Sequence, residues 1–211
     1  MKKVLLFILL ITISVSLIGC SSEKETKDTS NQNYDKATIL INEQKYDEAK
    51  TIIEQAMKKD KDNGKYDNLL GYIYLQQQDY EKSLSYYESS IKKSPELVDS
   101  YNNIAGIKMM KEKYDEALTF IDKGLEADSK NDMLLYKKGQ ILFTKQKYEE
   151  SIKALETITN LDKYYDAYRF IGFGSLNLKN NEKAKEVFNK YIEKAPDGEE
   201  KEQIKQLLNQ I

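Results

Sequence analysis

Four tyrosines, Tyr46, Tyr80, Tyr114 and Tyr148, stand 34 residues apart, and each sits in nearly the same phrase. The phrases are Lys45-Tyr46-Asp47-Glu48-Ala49, Asp79-Tyr80-Glu81-Lys82-Ser83, Lys113-Tyr114-Asp115-Glu116-Ala117 and Lys147-Tyr148-Glu149-Glu150-Ser151. A weaker fifth copy, Asn181-Glu182-Lys183-Ala184, comes one residue short of the same step. A fixed period of this length specifies a repeat array in which each unit stacks on its neighbours. Each unit divides into two helical patterns around a short polar turn. In the second unit the spacing predicts a helix over 66–77, a turn at Gln78-Asp79 and a helix over 80–93. The only two prolines, Pro95 and Pro196, directly follow second helices, where a stop costs no interior hydrogen bond.

Small residues recur at matching positions of the units. The first-helix series is Ala37, Gly71, Ala105, Gly139 and Gly172, and the second-helix series is Ala49, Ser83, Ala117, Ser151 and Ala184. Four residues after each of the latter comes a large side chain: Ile53, Tyr87, Ile121, Leu155 and Phe188. Backbones approach closely only where neither helix carries bulk. In these residues the chain resembles tetratricopeptide repeats, stacked helical hairpins, over about residues 31–197. The resemblance implies an all-α, right-handed superhelical solenoid of about five hairpins. Some positions depart from the pattern. Asn33 and Asp67 open first helices where the family has a large residue, and Ile158 and Tyr191 replace a small residue late in the second helix. These departures bear on packing angles between repeats. Beyond Pro196, Ile204, Leu207, Leu208 and Ile211 fall on one helical face, so residues 198–211 read as a helix capping the last repeat.

The first 33 residues are of another kind. Met1-Lys2-Lys3 precedes an apolar run, Val4 to Ile18, that is short against the ~20 residues of a membrane span. It reads as a signal peptide over 1–19. The run closes on Leu17-Ile18-Gly19-Cys20, which resembles a bacterial lipobox, and that resemblance implies a diacylglycerol on Cys20. Cys20 is the sole cysteine and can form no internal disulfide. Ser21 to Asn33 contains no apolar residue and reads, with Cys20, as a flexible tether over 20–33, leaving the array at 34–197. Its 13 residues reach roughly 20 Å as a coil. Such a protein is exported and held at the outer face of the cytoplasmic membrane, or at an outer membrane where there is one.

Composition narrows the chemistry. Without residues 1–19 the chain carries 31 basic and 35 acidic residues with the signs interleaved, which describes a solvated helical surface and not a nucleic-acid stripe. Histidine is absent, which removes the commonest general base and metal ligand. No metal and no cofactor are expected beyond the lipid. The acidic turn Asp60 to Gly64 fails as a calcium loop, because a twelfth-position glutamate is missing and Gly71 stands there. Gly172-Phe173-Gly174 follows no strand and is no phosphate loop. Nothing here argues for catalysis.

The chain holds 16 tyrosines, and the four periodic ones are expected to pack at the hairpin turns. For Tyr114→Ala a fully buried ring would mean a loss of about 3–5 kcal/mol. The family resemblance further implies that the first helices line a concave groove. By register the groove takes Tyr34, Thr38 and Asn42, then Asn68, Tyr72 and Gln76, then Asp99, Asn102, Gly106 and Met110. The fourth repeat adds Met133, Tyr136, Gln140 and Thr144, and the fifth Arg169, Phe173 and Asn177. Amides on such a wall can bond an extended peptide's backbone, while Tyr and Met give adaptable apolar contact. The family's basic clamp for C-terminal carboxylates is not expected, since Lys65 lacks its companions. The sequence thus points to a membrane-anchored, non-enzymatic adaptor for a protein or peptide of the cell envelope. The alternative is an architectural, self-associating lipoprotein without a groove ligand.

Overall fold

The computed structural model describes residues 32–211. The signal peptide, Cys20 and nearly all of the tether lie outside the described residues. The chain forms two compact units, one ending at Ser94 and one spanning Pro95–Ile211. The described part of the first unit holds α1 (32–42), α2 (Tyr46–Lys59), α3 (Gly64–Gln76) and α4 (Tyr80–Lys93). The second holds α5 (Val98–Met110), α6 (Tyr114–Ala127), α7 (Asp132–Thr144), α8 (Tyr148–Glu156), α9 (Asp166–Asn177), α10 (Asn181–Lys194) and α11 (Glu199–Leu208). Odd-numbered helices up to α9 are the first helices of hairpins, and even-numbered ones are the second. No helix among the described residues is long and apolar enough to cross a membrane.

Each hairpin turn uses one device. Gln44, Gln78, Glu112, Gln146 and Lys179 all adopt positive φ, between 56° and 60°. The next residue's N–H then reaches back to the carbonyl five positions earlier: Lys45 to Leu40, Asp79 to Tyr74, Lys113 to Lys108, Lys147 to Leu142 and Asn180 to Ser175. This satisfies carbonyls that a helix end leaves without partners. It does so with a side chain in a region that usually favours glycine. Acidic first turns such as Asp47-Glu48 and Asp115-Glu116 then complement the dipole of the second helix.

The small–large interlock is built as the spacing predicts. All ten small positions are buried, and Ile53, Tyr87, Ile121, Leu155 and Phe188 are fully enclosed. A methyl added to Gly71 would stand 2.7 Å from the Tyr87 ring. At Gly139 and Gly172 it would run into Leu155 and Phe188. The three pairs are each 16 residues apart, so the same contact closes each of those hairpins. Where the first helix has glycine opposite a serine, the hydroxyl bonds it: Ser83 Oγ donates to Gly71 O and Ser151 Oγ to Gly139 O, both at 2.8 Å.

Four features correct or sharpen the sequence reading. The turn tyrosines Tyr46, Tyr80, Tyr114 and Tyr148 are only half-buried: Tyr46 and Tyr114 pack against the core from its edge, and Tyr148 stands edge-on to Phe143 at 5.4 Å. Asp67, standing where a large residue was expected, is buried and meets Lys93 at 2.7 Å, so an ion pair replaces aromatic packing. Helix α8 has 9 residues against 14 in the other second helices. It stops before Thr157-Ile158-Thr159, whose β-branched side chains favour helix weakly. Asp132 offers the unwound chain alternative partners, accepting from Thr159 N at 2.7 Å, Thr159 Oγ at 2.8 Å and Asn160 N at 3.1 Å. Finally, α11 ends at Leu208, three residues short of the last apolar position, Ile211. Its Ile204 is buried, with Leu207, Leu208 and Ile211 packed on the same core.

Candidate protein-binding face

In the first unit the positions assigned to the partner face lie on α1 and α3. Tyr34 is half-buried with Lys65 Nζ 5.9 Å from its ring centroid, and Asn68 is half-buried beside it in the register. Tyr72 is exposed, as are Asn42 and Gln76. A helix keeps residues three and four apart on one side, which is why this set shares a face of α3 while Leu69, Leu70 and Ile73 fill the core.

In the second unit the face divides into an open part and a part the chain fills itself. Met110 and Met133 are exposed, and Asn102 and Gln140 are half-buried. Asp99, Asn102 and Met133 border an open depression of 260 Å³, lined also by Thr159 and Tyr164 of the α8–α9 connection. Asn102 Oδ1 accepts from Lys137 Nζ at 2.7 Å. Burial pushes the Lys137 ammonium below the usual lysine range.

The far end is occupied. Tyr136 donates to Asp166 Oδ2 at 2.8 Å, and Asp166 receives Arg169 through Nε at 2.7 Å and Nη2 at 3.0 Å. Arg169 also meets Glu200 of α11 at 3.1 Å, and Glu200 accepts from Tyr191 at 2.8 Å. Burial, then the bond to Asp166, holds the Tyr136 hydroxyl well above the usual phenol range. Arg169 lies 4.5 Å from the Phe170 ring centroid, and Phe173 stands edge-on to Phe188 at 5.1 Å. Tyr136, Arg169 and Phe173 therefore hold the last repeats together. Sequence reasoning missed Lys137, Asp166 and Glu200. Their only sequence signal was position, since all three neighbour residues already assigned to that face or to the capping helix.

Family models of the tetratricopeptide repeat match residues 34–97, 98–131, 134–165 and 171–198, most of the chain. The chain belongs to the tetratricopeptide-repeat (TPR) family. Solved TPR-like structures agree in fold. MamA superposes with a TM-score of 0.65 at 18% identity, covering 80% of this chain and 92% of MamA. YrrB, a TPR protein with an unusual peptide-binding site, gives 0.66 at 18% identity, covering 91% of this chain and 97% of YrrB. MamA AMB-1 gives 0.62 at 21% identity over 79% and 92% of the two chains. Among curated proteins none matches by sequence. The TPR fold is that of interaction scaffolds, which are generally non-enzymatic and take protein or peptide partners.

Proposed function

We propose that this TPR protein is a scaffold anchored to a bacterial envelope membrane through lipid on Cys20, and that it binds an extended segment of an envelope protein along its first helices. One observation carries the binding reading. The exposed large hydrophobics among the described residues are Ile39, Tyr72, Met110, Met133 and Leu178. Tyr72 in the first unit and Met110 and Met133 in the second stand at positions assigned to the partner face, on α3, α5 and α7, while Ile39 on α1 and Leu178 at the end of α9 stand outside that set. None lies on a second helix. Exposed apolar side chains ranked on one class of helix mark a contact surface more than scattered ones do. The peptide-binding site of YrrB, similar in fold, supports a peptide ligand.

The test is affinity recovery from envelope extracts with the full-length protein and a Tyr72→Ser/Met110→Ser/Met133→Ser variant. These side chains are solvent-facing, so stability should change by under about 1 kcal/mol. A partner recovered by the native chain and lost by the variant supports the reading, and equal recovery by both sinks it. For the anchor, metabolic labelling with a clickable fatty acid should mark the native chain and not Cys20→Ser.

A second reading, self-association, has its own observation. Ile73, Ile107 and Ile141, at the 34-residue spacing from Ile39, are buried to within 2% exposure, whereas Ile39 is 57% exposed. The first hairpin thus shows water an isoleucine that every later full-step repeat hides. Sedimentation of the native chain against Ile39→Lys decides this, since an oligomer dissolved by the substitution would favour assembly through that end.

A further inference from the structure

We propose that Met110 and Met133 are oxidation sites: a peroxide converts their thioethers to sulfoxides and so releases the bound polypeptide. The inference rests on the protein-binding reading above and adds a chemical control of the same face.

The repeat period separates the methionines into two kinds. Met1 lies outside the described residues. Met57 stands in register with Ile91 and Leu125, and Met109 with Ile41, Leu75 and Phe143. Both are partly buried and pack against core clusters, so a thioether there fills an apolar position. Met110 stands instead in register with Asn42, Gln76 and Thr144, and Met133 with Lys65 and Asp99. These repeats put polar side chains where water reaches them, yet Met110 is 65% exposed and Met133 44%. Core packing gives no reason for either sulfur, and both stand at positions assigned to the partner face.

Composition makes these two sulfurs the first target of an oxygen-donating oxidant. The chain has no tryptophan and no histidine, and it has no free thiol once Cys20 carries lipid. Attack then follows access, since the Sδ lone pair must reach a peroxide oxygen. The Sδ–O bond forms as the O–O bond breaks, and the departing oxygen keeps the bonding pair and leaves as water. Sulfur is oxidised by two electrons and the peroxide is reduced by two. A methionine sulfoxide reductase reverses the step: its dithiol becomes a disulfide and the oxygen leaves as water. The sulfoxide exchanges an apolar, adaptable contact for a polar group that a partner must desolvate. Neither side chain belongs to the core, so the fold stays intact while the contact is lost.

In the test, full-length protein in detergent is treated with hydrogen peroxide, and peptide mass spectrometry follows oxygen uptake at each methionine. Met110 and Met133 should gain oxygen well before Met57 and Met109, with the Tm unchanged. Uptake at equal rates overturns the assignment, as does a lowered Tm when only those two are oxidised. The binding probe is a short peptide that native protein selects from a displayed random library. Oxidation of Met110 and Met133 should weaken it roughly tenfold, through the loss of a buried apolar contact. Methionine sulfoxide reductases with dithiothreitol should restore it. Met110→Leu/Met133→Leu, whatever its own affinity, should lose none of it under peroxide. On immobilised peptide, the retained fraction of partly oxidised native protein should be depleted in both sulfoxides. Equal sulfoxide in the retained and unretained fractions overturns the proposal, as does a leucine variant that peroxide weakens as it weakens the native chain. If native protein selects no peptide, the protein-binding reading fails on that result alone, and the oxidation sites stand or fall by the order of oxygen uptake.

Discussion

The Lys93 ammonium of α4 meets the Asp67 carboxylate of α3 at 2.7 Å, with Asp67 only 2% exposed. Breaking one side of such a pair strands a buried charge, whereas replacing both with apolar residues of similar volume need not destabilise. Lys93→Met should therefore cost about 3 kcal/mol, the low end for such pairs because Lys93 is partly exposed. Asp67→Leu/Lys93→Met should recover most of it. Urea unfolding of the two variants checks this, and equal losses in both would mean that the pair itself is net stabilising.

The contact at the fourth hairpin gives two outcomes of different size. Gly139→Ala drives a methyl into Leu155 and should cost about 1–3 kcal/mol. Ser151→Ala removes one hydrogen bond to Gly139 O and should cost about 1 kcal/mol. Thermal melts read both. A neutral Gly139→Ala would show that the helices can separate without penalty.

Every hairpin turn holds a non-glycine residue at positive φ. Gln78→Gly or Glu112→Gly relieves a left-handed conformation that costs about 1–2 kcal/mol, partly offset by the greater freedom of glycine in the unfolded chain. Each should stabilise by about 0.5–1 kcal/mol, and Glu112→Val should destabilise. Chemical denaturation curves decide the sign.

Alkaline pH should weaken the C-terminal end. Burial, then its bond to Glu200, pushes the Tyr191 hydroxyl up to about 12 from an ordinary 10.0. Between those values the unfolded chain has lost this proton and the folded chain keeps it. Stability is therefore fully present below pH ~10 and falls as pH rises toward ~12. Tyr191→Phe should flatten that part of the decline in a series of urea melts, and an unchanged slope would deny the coupling.

The half-burial of Tyr114 lowers the expected cost of Tyr114→Ala to about 2 kcal/mol, since only part of the ring leaves water. A loss of 4 kcal/mol or more by calorimetry would mean that the ring is held more tightly than its exposure indicates.

The period of 34 by itself determined the hairpins, the family resemblance the small and large packing positions such as Gly71 and Tyr87, and the spacing beyond Pro196 the capping role of Ile204. These follow from local geometry: helical spacing fixes which side chains share a face, and close crossing leaves room only for small ones. Which class of helix would face a partner is implied by family register alone. Tertiary structure alone decided which of those residues are available. Tyr136 and Arg169 read like Tyr72 and Met110 in sequence, yet they are bound to Asp166 and Glu200. The early end of α8 depends on Asp132, which lies 27 residues upstream of the Thr159 it binds. Spacing along a chain says which atoms one helix turns to the same side, but the partners of a charge or a hydroxyl come from elements that only the packed fold brings within 3 Å.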